Sequence, residues 1–537
     1  MTGLRARRPL LVALLAASVV GGVLTSGGTS TAAVPQGSGG PVSTPAVHHD
    51  TSRPLRDMPQ GSTNRVPDRV RENRHLPLSP GRGSDGALQV ASGAPAAAST
   101  PAGFAGVGNG DYGFAPNAAP PDTNGAVGAT QYVQWVNESF AVFDKTTHAI
   151  APGFPKTGNT LWAGFGGGCE TNNDGDPVAQ YDKAAGVWVL TQFSVSTTPY
   201  LQCVAVSTTS DATGSYHRYA FSYGSTQFND YPKLGVWPDG YYVTYNIFNN
   251  GTTFAGSKVC ALDRAQMLTG GAATQQCIQL GTSYGGLLPS DLDGTIAPPT
   301  GAPNYLLNIG SNSLNLWRFH ADFTTPANST FTGPTNIPVA AFSPACGGGT
   351  CIRQAGTSQK LDSLADRLMY RLAYRHFADG HEALVVNHSV KVSGSRRTEV
   401  DGVRWYEIRS PGTAPTVYQQ GTYAPDGSSR WMGSSAMDKV GNLAVGYSRS
   451  SGTEFPSIGY AARIPTDAIG TLQGEVPLKA GGGSQSGFNL SRWGDYSSLT
   501  VDPVDDCTFW FTSEYEKTTG AFNWSTWISS FKLVNCV

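Results

Sequence analysis

Six aspartates stand at the head of short apolar runs in this sequence: Asp122, Asp176, Asp230, Asp293, Asp366 and Asp495. Crowded carboxylates raise one another's pKa or recruit a cation, and a pair that shares a proton can act as acid and base on a glycosidic bond. Asp176, Asp230 and Asp495, with Glu514 after a late apolar strand, are therefore the candidate catalytic residues. The competing role for each aspartate is to cap a turn by accepting backbone N–H bonds. Arg492-Trp493-Gly494-Asp495-Tyr496 joins a carboxylate binder, a sugar-stacking surface and a carboxylate in one loop, and Arg430-Trp431 repeats its first half. Arg430, Trp431, Arg492, Trp493 and Tyr496 are thus candidate substrate-binding residues. Their alternative is an Arg–Asp bridge with tryptophan as packing. Asn172-Asn-Asp174-Gly-Asp176 and Asp291-Leu-Asp293-Gly294 are oxygen-rich turns of the kind calcium favours, so Asp174, Asp176 and Asp293 are candidate Ca²⁺ ligands, although neither turn completes a bidentate-Glu pattern. No nucleophile elbow, paired-His zinc motif or phosphate loop occurs.

These side chains must be positioned by β structure, because helical periodicity is nearly absent while glycine and aromatics are abundant. A unit recurs: an Asp, a short apolar strand, a turn with a second Asp, then a hydrophobic and aromatic strand. It reads Asp176–Asp182 with Val187–Leu190, Asp230–Asp239 with Tyr241–Tyr245, Met432–Asp438 with Leu443–Tyr447, and Asp495–Asp502 with Cys507–Phe511. Weaker copies start at Asp122, Asp293 and Asp366. Seven units of this length predict an all-β fold, a β-propeller of seven four-stranded blades. The residues opening each unit then converge at one mouth of the central channel.

The strings NDGDPVAQYD, DYPKLGVWPDGYYVTYN and RWGDYSSLTVDPVDDCTFWFTSEY resemble those of a group of secreted bacterial proteins with a sialidase-like propeller architecture. The resemblance runs from about residue 104 to the C-terminus. It implies that Glu514-Tyr515 could supply a base and nucleophile. The chain departs from sialidases in lacking Arg-Ile-Pro near the domain start and in only echoing the Asp box at Ser435–Gly441, which argues against sialidase activity.

Residues 1–33 read as a signal peptide, with Arg5, Arg7 and Arg8 ahead of an apolar run. Residues 34–103, rich in Pro, Gly, Ser and Arg, read as a disordered linker or pro-segment, and 104–537 as the propeller domain. Residues 1–105 hold ten of the 36 basic and five of the 38 acidic residues, leaving 26 basic against 33 acidic, a net −7. That balance disfavours nucleic acid as a partner, and no later stretch is apolar enough to span a membrane.

Eight cysteines in an exported chain predict four disulfides. Symmetry about hairpin turns pairs Cys507 with Cys536 and Cys260 with Cys277. Cys346 and Cys351 close a short loop, which leaves Cys169 with Cys203. The expectation is a secreted, monomeric propeller acting on extracellular polysaccharide as a glycoside hydrolase or lyase. The alternative is a non-catalytic glycan- or protein-binding propeller.

Overall fold

The computed structural model describes residues 40–537 apart from 62–68, 71–73, 78–80, 82, 92 and 96, and only the backbone of Arg69 and Val70. The expected signal peptide lies outside the described residues.

Among the described residues, seven strands serve as the innermost strands of antiparallel meanders. They are β1 (Thr123–Val127), β2 (Val178–Asp182), β3 (Gln227–Val236), β4 (Leu288–Asp293), β5 (Met369–His376), β6 (Ser429–Met437) and β7 (Ser498–Val501). Each of β1 to β6 is followed by three further strands stepping outward in chain order. The group begun by β7 takes two from its own stretch, Phe509–Glu516 and Trp524–Phe531, and its fourth, Ala102–Ala105, from the other end of the sequence. Each inner strand packs beside the next, and β7 returns to β1, so the sheets close radially. This is a β-propeller, in which closure leaves few sheet edges open.

Radial packing explains why the strands read as continuous apolar runs rather than alternating ones: both faces of each sheet are covered. All eight residues of Val187–Ser194 are buried, as are all eight of Phe509–Glu516. Tryptophans 135, 188, 237, 405, 431 and 493 fill the space between sheets at 0–1% exposure. Among the described residues the α-helices are two short segments, Gly167–Thr171 and Arg264–Thr269, the latter capped by Asp263, which accepts from the Gln266 N–H at 3.1 Å. All four expected disulfides are present, and Cys260 and Cys277 stand directly opposite in the register of neighbouring strands.

Two expectations need correction. Asp293 does not open a unit; it ends β4, while the repeat begins near Leu288. The reading of 34–103 as disordered linker also fails for much of its described part. Val42–Pro45 and His48–Thr51 add outer strands to two sheets, Leu88–Gln89 adds one to a third, and Ala102–Ala105 seals the ring. Sheet edges supply hydrogen-bond partners that the segment lacks alone. Asp50 adds a bidentate pair to the buried Arg218, at 2.8 and 2.6 Å.

Candidate functional site at the channel mouth

The starts of β1, β2 and β7 and the irregularity within β3 bring Asp122, Asp176, Asp230 and Asp495 close enough to feel one another's charge. The backbone turns sharply there. Asp122, Asp176 and Tyr231 adopt left-handed φ values of 44°, 46° and 56°, which non-glycine residues hold at a cost of about 1 kcal/mol each. In β3 the turn coincides with a register shift between Asp230 and Lys233.

Hydrogen bonds stitch this end of the ring together. Asp122 accepts from the Asp495 N–H at 2.8 Å and from Asn137 Nδ2 at 3.1 Å. Asp176 accepts from the Tyr231 N–H at 3.2 Å. These two aspartates therefore take up the capping role. Asp495 is ion-paired with Arg492, and its carbonyl accepts from the Tyr231 hydroxyl at 3.2 Å. Asp230 faces Arg74 at 3.5 Å. Burial, followed by the Asp495 and Asp176 charges, pushes Asp122 well above the usual carboxylate range. Burial also raises Asp230, against the pull of Arg74.

Glu514 reaches the same loop, accepting from the Gly494 N–H with Oε1, whereas its Oε2 has no hydrogen-bond partner among the described residues. Burial drives its pKa well up. The approach is so close that a Cβ on Gly494 would stand 2.7 Å from Oε1, so a larger residue there would have to push the Glu514 carboxyl aside.

Two cations in this group escaped the sequence reading. Lys233 is fully buried, its ammonium 3.5 Å from the Tyr231 ring centre and 3.9 Å from that of Tyr496, donating to the Pro232 carbonyl at 2.9 Å. Burial lowers its pKa to about 8, opposed by the Asp176, Asp495 and Asp122 charges. Arg367 lies 4.5 Å over the Tyr231 ring and pairs with Asp366 at 2.7 Å. Burial opposes ionisation of Asp366, but Arg367 and its hydrogen bonds hold the carboxyl well below its ordinary range. A lysine within DYPKLG was legible as a residue; that its charge would be buried was not.

The candidate substrate-binding residues divide. Arg492 and Tyr496 belong to the mouth, both buried, with the Tyr496 hydroxyl donating to the Pro177 carbonyl at 2.8 Å. Trp431 and Trp493 are packing residues at 0% exposure with ring centres 5.8 Å apart, so neither offers a face for stacking. Arg430 is buried within its sheet, bridging Asp426 at 2.9 Å and Glu475 at 2.7 Å.

The two oxygen-rich turns that supply the candidate calcium ligands lie apart, and their carboxylates have protein partners. Asp174 accepts from the N–H groups of Val195 and Ser196 at 2.6 and 2.7 Å. Asp176 precedes β2, whereas Asp293 contacts Lys183, just beyond that strand's other end, at 2.8 Å. Burial disfavours the Asp293 charge, yet Arg371 and Lys183 hold its pKa at about 2. Among the described residues, the group compact enough to hold an ion contains Glu399, Asp401 and the disulfide-bonded Cys346 and Cys351, which leaves two carboxylates.

No family model matches this chain, and no curated protein does. Among solved structures, an α-L-arabinanase from Penicillium chrysogenum complexed with arabinobiose is 10% identical, covering 81% of this chain and 100% of its own, with a TM-score of 0.35. An α-L-arabinofuranosidase from Fusarium graminearum with an iminosugar inhibitor is 10% identical over 81% and 99%, with a TM-score of 0.36. A family PL25 ulvan lyase is 12% identical over 81% and 97%, with a TM-score of 0.32. Likeness at this distance carries no argument about the chemistry of the mouth.

Proposed function

We propose that this is an exported, seven-bladed propeller that acts on an extracellular polysaccharide as a glycoside hydrolase or lyase at the mouth flanked by β1, β2, β3 and β7. The observation that supports this reading is the convergence of four aspartates and Glu514 with Lys233, Arg367 and Arg492 at one end of the ring. In it, burial raises the pKa of Asp122 and Glu514 and so favours the protonated form from which a proton can pass to a leaving oxygen. Asp230 and Asp495, each incompletely buried, are the carboxylates placed to take a proton or stabilise developing positive charge. Arg492 and Arg367 orient an acidic sugar.

The second reading, a non-catalytic binding propeller, draws on the capping bonds of Asp122 and Asp176 and the burial of Trp431 and Trp493. One assay separates the two. Purified protein is incubated with plant, microbial and animal polysaccharides, reading new reducing ends and the ultraviolet absorbance of unsaturated uronates. Reducing ends without absorbance identify a hydrolase and both together a lyase. Gel retardation without either product transfers the case to the binding reading.

A further inference from the structure

Arg74, His75 and Leu76 lie against the Asp230 and Asp366 side of the acidic mouth. Arg74 lays its guanidinium 4.2 Å from the Phe228 ring centre and 5.5 Å from that of Phe248, within 3.5 Å of Asp230. Its carbonyl accepts from Arg367 Nη2 at 3.1 Å, and two residues on the Leu76 N–H donates to Asp366 Oδ2 at 2.8 Å. His75 approaches the same carboxylate at 3.6 Å. Leu76 is 5% exposed and rests on Gly285 and Gly286, where a Cβ at either position would come within 3.1 Å of its Cδ1.

We propose that the mouth carries a recognition subsite for an arginyl peptide and that Arg74-His75-Leu76 fills it in cis. The arrangement reads a peptide as such. An aromatic pair with a carboxylate selects the guanidinium, Arg367 and Asp366 hold one backbone acceptor and one donor, and a side-chain-free floor admits the leucine. Because Arg74 sits on Asp230, any ligand that reaches this carboxylate displaces the segment first. The subsite stands on these contacts alone and does not depend on the polysaccharide reading.

The test uses the full chain carrying Arg74→Ala and Leu76→Ala together, with acetyl-Arg-His-Leu-Pro-amide as the probe in calorimetry. A subsite occupied in cis competes with the probe, so the double variant binds it at least about 10-fold more tightly than the unaltered protein. Adding Asp366→Asn to the double variant reverses the gain. Equal affinity for unaltered and double-variant protein, or no binding to a folded double variant, overturns the proposal. Should the double variant not fold, deuterium exchange on the unaltered protein decides. The Leu76 amide exchanges about 100-fold or more slowly than in the free peptide if it is held by Asp366, and exchange at the free-peptide rate overturns the proposal. Neither readout involves turnover, so failure here is distinguishable from failure of the polysaccharide reading.

Discussion

Asp230 differs from its neighbours in what its carboxylate is used for. Asp122 and Asp176 accept backbone N–H groups across the joints between sheets, and Asp495 neutralises a buried guanidinium. Asp230 is ion-paired instead with Arg74, an arginine from a separate segment, and its own side chain is 17% exposed. Asp230→Asn is therefore expected to cut turnover by about 10²- to 10⁴-fold, the range for loss of a positioned acid or base. Its unfolding temperature should stay within about 2 °C. Asp495→Asn should lose turnover and stability together, by about 1–3 kcal/mol, since Arg492 would keep a buried charge without its nearest counter-ion. Kinetics and thermal unfolding of both variants check this. An Asp230→Asn protein with full turnover would remove that residue from the chemistry.

At the scale of elements, the joints made by the N-terminal segment are open to direct measurement. His48–Thr51 adds an outer strand beside Tyr216–Ser222, and Asp50 satisfies Arg218, whose other bonds go to the carbonyls of Leu161 and Ala163. Asp50→Ala leaves that guanidinium, 3% exposed, short of its counter-ion. The expected loss is about 1–3 kcal/mol, reduced from that of a fully buried pair because Asp50 is itself 30% exposed. Denaturant unfolding gives the value, and an unchanged midpoint would mean that the added strand is not held by this pair. Such strands could not be foreseen from Val-Ser-Thr-Pro or His-His-Asp-Thr, which carry no apolar alternation; their pairing is decided by the edge they meet. The inner strands were more legible, since an Asp before an apolar run and an aromatic strand after it mark β2 and β7 within three residues. Asp293 misled because Asp-Leu-Asp can end a strand as readily as precede one. The tryptophans misled for another reason: Arg-Trp reads alike whether the ring faces a ligand or a neighbouring sheet.

At the scale of the whole molecule, the buried acids govern how stability responds to pH. Burial raises the pKa of Asp122, Asp230, Asp401, Glu514 and Glu516, and lifts that of Asp438 to about 6. Each such group binds its proton more tightly in the folded chain than in the unfolded one, where carboxyls titrate near 4. Each therefore contributes stability below that value and loses it as pH rises toward the folded pKa, for Asp438 between about 4 and about 6. Asp293 and Asp366 work in the opposite sense. Their ion pairs contribute above pH 4 and are lost as pH falls toward about 2, where the folded Asp293 takes up its proton. Lys233, lowered to about 8, adds stability only as pH climbs above that value. The raised carboxyls, Asp438 among them, predict an unfolding temperature that falls as pH rises from about 4 through about 6. Calorimetry across that range at constant ionic strength tests the balance. An unfolding temperature that instead rises toward neutrality would show that these carboxyls are ionised in the folded protein, and Asp122 and Glu514 could not then be the proton donors assigned to the mouth.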